Sequence, residues 1–100
     1  MAVIGAHGKM GSLVVKMVVA DPTLMLVGCV DPKGGITDGD VPINRSLDEM
    51  LHLARPDVCV DFTNPEAVFG NVNMMIQHGC RPVVGLSSVL YIFLFEFEIQ

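Results

Sequence analysis

The sequence predicts an α/β fold in which a parallel sheet carries helices on both faces. Short apolar runs, typical of buried strands, alternate with stretches whose apolar residues recur at helical spacing. Three glycines at every third position (Gly5, Gly8 and Gly11) join the first apolar run to the first helical stretch. A strand, a glycine turn, a helix and a strand within about 30 residues form a βαβ unit, which closes right-handed with parallel strands.

Composition and charge indicate one core-forming domain. The chain has 100 residues, of which 51% are hydrophobic and 17% charged. It therefore has room for a single domain and enough apolar surface to build a core. The net charge is −5, and the six lysines and arginines are scattered singly. Domains that bind nucleic acid cluster their basic residues, so we expect no nucleic-acid partner.

The first half of the chain predicts the βαβ unit, then a loop and an edge strand. The predicted elements are a strand at Ala2–Ile4, a helix at Lys9–Ala20, a strand at Leu24–Val30 and a short strand at Val41–Ile43. Asp21-Pro22 is expected to end the helix, because the residue before a proline resists the α conformation. Pro42 confines the short strand to an edge of the sheet.

The second half repeats this alternation. Ser46, followed by Glu49 three residues later, predicts a capping box at the start of a helix. The elements predicted after it are a strand at Val58–Phe62, a helix from Pro65 to about Gln77 and a strand at Pro82–Gly85. Gly79, just beyond the helix, is a typical C-terminal stop.

The last twelve residues differ in character from the rest. Residues 89–100 are aromatic and β-branched, and Phe95, Phe97 and Ile99 alternate with Glu96 and Glu98. This alternation is typical of a strand. The segment is too short to cross a membrane, which takes about 20 apolar residues. We therefore divide the chain into a domain at 1–88 and an atypical hydrophobic tail at 89–100.

The glycine turn predicts a dinucleotide site of the Rossmann type. Glycines between a strand and a helix let the backbone approach a phosphate, which the free N–H groups of the helix N-terminus then bind. Gly11 would let the helix pack closely on its strand. Asp31 ends the second strand, 20 positions after Gly11, where a carboxylate can bind the adenine-ribose hydroxyls. The alternative is a glycine turn kept for packing alone.

The remaining reactive side chains indicate no second chemistry. Cysteines are odd in number, without a C-x-x-C pair, and are expected to be small buried residues in a reducing compartment. The histidines have no metal-ligand spacing among themselves, so we expect no metal site, and none stands out as a catalytic acid. No secretory signal pattern opens the chain. These observations favour the cytoplasm.

Four stretches together resemble one known family. The stretches GAHGKMG, LVGCVD, VCVDFTNPEAV and HGCRPVVG run from the first residues to about Gly85. They are similar to the N-terminal domain of 4-hydroxy-tetrahydrodipicolinate reductase (dihydrodipicolinate reductase), of the diaminopimelate route to lysine. The D-F-T-x-P-E-A stretch at Asp61 to Ala67 is the more specific signature, because many dehydrogenases share the glycine triad.

The resemblance implies roles for individual residues around NADH or NADPH. Lys9 and Met10 would lie near the cofactor phosphates, and Phe62 and Thr63 would line the nicotinamide half. Asp31 favours NADH by its charge, whereas Lys33 would tolerate a 2′-phosphate, so we expect mixed use with a preference for NADH.

After the fourth strand the family reads G-T-T-G, whereas this chain reads Gly85-Leu86-Ser87-Ser88. Gly85 and Ser87 are the cofactor-binding candidates here, and Leu86 supplies no hydroxyl. Beyond residue 88 the resemblance ends.

The resemblance also implies what these residues do not supply. The family's substrate domain, with its His-His-x-x-Lys motif, belongs to a longer chain and forms a homotetramer. We therefore expect a shortened chain without catalytic residues, inactive alone, and either monomeric or self-associating through its tail. If the chain comes from a photosynthetic eukaryote, we expect it in the plastid instead of the cytoplasm. Two alternatives stay open: a fragment of an aspartate or homoserine dehydrogenase, and a non-catalytic interaction module that pairs through the tail.

Overall fold

One parallel sheet organises the part of the chain that the structure describes. The computed structural model describes residues 1–37, 39–63 and 65–85. The strands are β1 (Ala2–Ile4), β2 (Gly28–Val30), β3 (Ile43–Asn44), β4 (Val58–Asp61) and β5 (Arg81–Val84). The helices are α1 (Lys9–Ala20), α2 (Leu47–Ala54) and α3 (Pro65–Gln77). The sheet order is β3-β2-β1-β4-β5, and every neighbouring pair is parallel.

Helices cover both faces of the sheet, as the alternating pattern predicts. On one face, Val3 and Cys29 pack in a cluster with Val15 of α1. On the other face, Ile4 packs in a cluster that includes Met50 of α2 and, from the end of α3, Met75, which is fully buried. Because side chains alternate along a strand, consecutive residues of β1 serve the two cores. The predicted Rossmann-type α/β fold is confirmed.

The second strand is shorter than its apolar run. The sequence predicts a strand over Leu24–Val30, but β2 contains only Gly28–Val30. The reason is the length of its neighbour: β1 begins at Ala2, which pairs with Gly28. Before that pair, the contact is reduced to bonds with Met1, whose carbonyl oxygen accepts the Val27 N–H at 2.9 Å. Met25 is 74% exposed, which shows that part of the run remains in water.

Helix boundaries follow the sequence closely. Helix α1 spans the predicted Lys9–Ala20. Ser46 Oγ accepts the Glu49 N–H at 3.3 Å, so the predicted cap forms. Gly79, just beyond α3, adopts a φ of 74°. The edge strand β3 is displaced to Ile43–Asn44, leaving Pro42 outside the ladder.

All three cysteines are buried and free, as expected from their apolar surroundings. Burial raises the pKa of the Cys29 thiol to about 11. No helix within the described ranges is both long and apolar enough to cross a bilayer. The predicted tail at 89–100 lies outside the described residues.

Candidate functional site

The candidate site lies where the order of the strands reverses, between β1 and β4. The chain moves outward from β1 to β2 and β3, then returns to the other side of β1 as β4. The loops after β1 and β4 therefore lie side by side above adjacent strand ends, where open α/β sheets bind ligands. Two backbone bonds fix these loops: Gly5 N–H donates to Val30 O at 2.8 Å, and Phe62 N–H donates to Ile4 O at 3.0 Å.

The glycine turn has the close backbone approach that the motif predicts. Gly5 has a φ of 84°, a backbone conformation that residues other than glycine rarely adopt. A Cβ on Gly11 would collide with the carbonyl oxygen of Gly5. Gly8, the N-cap of α1, has no side-chain cap, and the first turn carries no acidic residue. The N–H groups of that turn are therefore available to an anion.

Asp31 ties the turn after β2 to the glycine turn. One carboxylate oxygen accepts the His7 N–H at 3.0 Å, and the other accepts the Lys33 N–H at 3.0 Å. The His7 ring reaches further, with Nε2 lying 2.7 Å from the carbonyl oxygen of Gly34. A carboxylate offers about four lone-pair sites, so two remain for further donors.

The electrostatics of Asp31 favour its ionised form. Burial raises the pKa of this carboxyl, but hydrogen bonds from the N–H groups of Lys33 and His7 and the charges of both side chains outweigh it. The net effect lowers its pKa below the ordinary value. Asp31 is only 8% exposed, yet it holds its negative charge beside the glycine turn.

Phe62, predicted for the nicotinamide half, is in contact with Gly85, another predicted cofactor-binding residue. The ring of Phe62 lies so close to Gly85 that a Cβ at Gly85 would overlap it, and its Cδ1 is 2.6 Å from that position. Gly85 N–H donates to Asp61 O at 2.8 Å, which fixes this glycine beside the end of β4. The backbone of Phe62 also borders Gly5, so the two loops meet.

Thr63 is oriented by Asp61 rather than left free. Its N–H and hydroxyl donate to the same oxygen of Asp61, at 2.8 and 2.6 Å. Asn71 of α3 donates to the other carboxylate oxygen at 3.0 Å. Asp61 is fully buried. The Thr63 hydroxyl donates its proton to Asp61, and its oxygen accepts from Asn71 Nδ2 at 3.3 Å, so only one acceptor position remains for a ligand.

The other predicted residues lie at the rim. Lys9 is the exposed first residue of α1, and Met10 beside it is half-buried. Lys33 is exposed on the turn after β2. Ser87 lies outside the described residues.

An open groove of about 160 Å³ lies beside the glycine turn, against α1, and its lining includes His7, Lys16 and Thr37. It includes none of the predicted dinucleotide residues and is smaller than ordinary cofactor pockets of about 300–1,000 Å³. We therefore place the site at the strand ends rather than in this groove.

Sequence reasoning missed two participants. His7 appeared only as a residue within the turn, yet its N–H and ring connect the turn to Asp31 and Gly34. Asn71 carried no recognisable signal, because its bond to Asp61 spans ten residues and depends on how α3 packs. The Asp61-x-Thr63 spacing could have revealed the other half of that network, since Asp often bonds the backbone two residues on.

Comparisons with known proteins identify the family of this chain. A family model described as dihydrodipicolinate reductase, N-terminus, matches residues 1–88. A 4-hydroxy-tetrahydrodipicolinate reductase from Syntrophomonas wolfei is 38% identical over 105 residues, covering 96% of this chain and 40% of the relative. One from Listeria welshimeri is 40% identical over 96 residues, covering 87% of this chain and 36% of the relative.

A solved structure shows the same fold. Dipicolinate-bound dihydrodipicolinate reductase from Paenisporosarcina sp. TG-14 matches with a TM-score of 0.75 and 27% sequence identity, over 91% of this chain and 40% of that chain. This chain spans about 40% of the length of the relatives it matches. It belongs to the dihydrodipicolinate reductase family and corresponds to that family's N-terminal, dinucleotide-binding domain.

Proposed function

We propose that this chain binds a reduced nicotinamide dinucleotide, NADH in preference to NADPH, across the ends of β1, β2 and β4. The observation that carries the proposal is the cradle at Gly11. Its Cα–H side lies against the Gly5 carbonyl oxygen, and the uncapped first turn of α1 opens beside it. A backbone this close, with free N–H groups and no acidic side chain, suits a pyrophosphate.

The adenosine half would lie over the turn after β2. The two unused lone-pair sites of Asp31 would accept hydrogen bonds from the ribose hydroxyls. A 2′-phosphate at the same place would meet the negative charge of Asp31, and the exposed Lys33 offsets that repulsion only in part. Lys9 adds a positive charge at the start of α1, near the pyrophosphate.

The nicotinamide half would lie over Phe62 and Gly85. Because Gly85 has no side chain, the Phe62 ring can pack directly against its backbone, and the nicotinamide would stack on the part of that half-buried ring that Gly85 leaves uncovered. Met10 and Ser87 complete the set of residues that we assign to the cofactor. The bound nicotinamide supplies a hydride, while the residues of this chain hold and orient it.

For the protein as a whole we propose the reaction named for its relatives: reduction of a cyclic dicarboxylate in lysine biosynthesis. We assign no catalytic residue among residues 1–100. Hydride transfer needs a substrate within about 3–3.5 Å of the nicotinamide and a proton donor. Binding of cofactor without turnover is therefore expected from these residues alone.

Calorimetric titration of the full chain with NADH and with NADPH tests the proposal. The decisive variant is Asp31→Asn, which keeps the shape of the side chain but removes its charge. We expect NADH affinity to fall about tenfold, as for the loss of hydrogen bonds to a charged group, and the preference over NADPH to shrink.

Asp21→Asn is the matched control. Asp21 accepts the Thr23 N–H at 2.8 Å in the same local arrangement, but it lies at the other end of α1. This variant should bind both cofactors like the wild type. The proposal is refuted if the wild-type chain binds neither cofactor at about millimolar concentration, which corresponds to a binding free energy of about −4 kcal/mol.

A further inference from the structure

Two histidines that the sequence keeps apart meet on the surface of the fold. His52 lies on α2, whereas His78 directly follows α3. Their ring centroids are 4.7 Å apart in an edge-to-face arrangement. Asp48 lies one helical turn before His52 and completes the group, which we call the Asp48–His52–His78 cluster. None of its members belongs to the loops that form the dinucleotide site.

The three side chains converge on a small volume. Asp48 Oδ1 lies 3.3 Å from His78 Nε2 and 3.6 Å from His52 Nδ1. One ligand atom from each residue can be chosen so that all three lie within 4.8 Å of one another. A tetrahedral zinc site with bonds of about 2.0–2.1 Å has edges of about 3.4 Å, so two edges are nearly in place.

The elements that carry the three residues keep their side chains close together. Asp48 and His52 are four residues apart on one helix, which places them on the same face. His78 is positioned by the end of α3, where its N–H donates to Met74 O at 3.2 Å. Side-chain exposures of 59% for Asp48, 65% for His52 and 24% for His78 leave the cluster open to an ion from solvent.

We propose that the Asp48–His52–His78 cluster binds a divalent transition-metal ion of the Zn²⁺ class. Two imidazole nitrogens and one carboxylate oxygen suit zinc, whereas Mg²⁺ and Ca²⁺ prefer oxygen ligands alone. Three protein ligands leave one coordination position for water. The ion would link α2 to the segment that leads into β5, so it would also stabilise the fold.

The hydrogen bonds already present define what the metal must replace. His52 Nδ1 lies 3.0 Å from the carbonyl oxygen of Asp48, and His78 Nε2 is hydrogen-bonded to the Asp48 carboxylate. Zinc displaces such protons when imidazole becomes its ligand. An Asp–His cluster without metal uses the same contacts, and the following experiment distinguishes the two.

The test is calorimetric titration of Zn²⁺ into the full chain, with its thiols kept reduced. We expect one zinc ion per chain. The variants Asp48→Asn, His52→Ala and His78→Ala should each weaken binding by about tenfold or more, since even outer partners of metal ligands have effects of about 10–100-fold. Glu49→Gln is the matched control, because it removes the neighbouring acidic charge and should leave the affinity unchanged.

A second readout separates ligation from an altered fold. In nuclear magnetic resonance spectra, zinc should shift the imidazole signals of His52 and His78 together and leave those of His7 unchanged. Circular dichroism would establish that each variant remains folded. The proposal is overturned if the wild type does not bind zinc at about 0.1 mM. It is equally overturned if the three variants bind zinc as tightly as the wild type or as Glu49→Gln.

Discussion

The ends of β2 and β4 carry the same kind of residue and use it differently. A buried aspartate directly follows β2 and another is the last residue of β4. The carboxylate of each accepts the N–H two residues on: Lys33 for Asp31 and Thr63 for Asp61. At β2, the second partner is the N–H of His7 in the glycine turn. At β4, the other partners are the Thr63 hydroxyl and the Asn71 amide.

This difference leaves Asp31 with acceptor capacity for a ligand, whereas the bonds of Asp61 serve the scaffold. Asp31 is 8% exposed and keeps lone pairs free beside an open turn, so it can serve a bound ribose. Asp61 is fully buried, and its hydrogen-bond partners belong to the β4–α3 junction. Its carboxylate therefore connects β4 to α3. The surrounding donors, rather than the aspartate or its place at a strand end, decide the role.

The largest effect is expected at the scaffold position. Asp61→Ala leaves the Thr63 hydroxyl and the Asn71 amide without their buried acceptor, so the free energy of unfolding should fall by about 2–4 kcal/mol. Urea denaturation measures this loss. Asp21→Ala removes a similar local bond at an exposed site and should cost less than about 1 kcal/mol. Equal losses in the two variants would contradict the scaffold assignment.

The second-largest effect is expected at the glycine turn, which we expect both to support the fold and to bind the cofactor. Gly11→Ala places a Cβ against the Gly5 carbonyl oxygen, so the turn must shift. We expect a loss of about 1–3 kcal/mol in stability together with loss of NADH binding.

Gly70→Ala is its control within α3. A Cβ there meets nothing within 4 Å, and alanine is the better helix former, so stability should rise by about 0.5–1 kcal/mol. Urea denaturation and calorimetry on both variants check the pair. Matching effects at the two glycines would show that the close approach at Gly11 does not matter.

The smallest effect is expected from the ligand position, and it depends on pH. The hydrogen bonds from Lys33 and His7 outweigh the effect of burial and lower the pKa of Asp31 in the folded state. Its contribution to stability is therefore complete above the unfolded pKa of about 3.9 and is lost as pH falls through the folded value. In Asp31→Asn that contribution is absent, so its stability should fall less steeply below about pH 4.

Chemical denaturation at a series of acidic pH values measures this slope. A variant as acid-sensitive as the wild type would show that Asp31 is not held in its ionised form. In that case the β2 end would have to be regarded as scaffold, like the β4 end.

Local signals predicted the elements well and their lengths less well. Helix α1 agrees with its prediction because glycine, helical periodicity and Asp21-Pro22 all act within a few residues. Strand β2 is shorter than predicted because a strand needs a partner, and β1 offers only three residues. Hydrophobicity indicates that a segment is apolar, whereas pairing decides how much of it becomes strand.

For the site, residue spacing was enough to predict the glycine turn and the acid at the end of β2, and it also encodes the bonds that Thr63 donates to Asp61, although these were not predicted. These depend on contacts between near neighbours, which residue spacing records. The tertiary structure alone decided that Asn71 reaches Asp61, that His7 joins Asp31, and that His78 meets His52 and Asp48. Such pairs form only when packed helices and strand ends bring distant residues together, and no spacing along the chain encodes that distance.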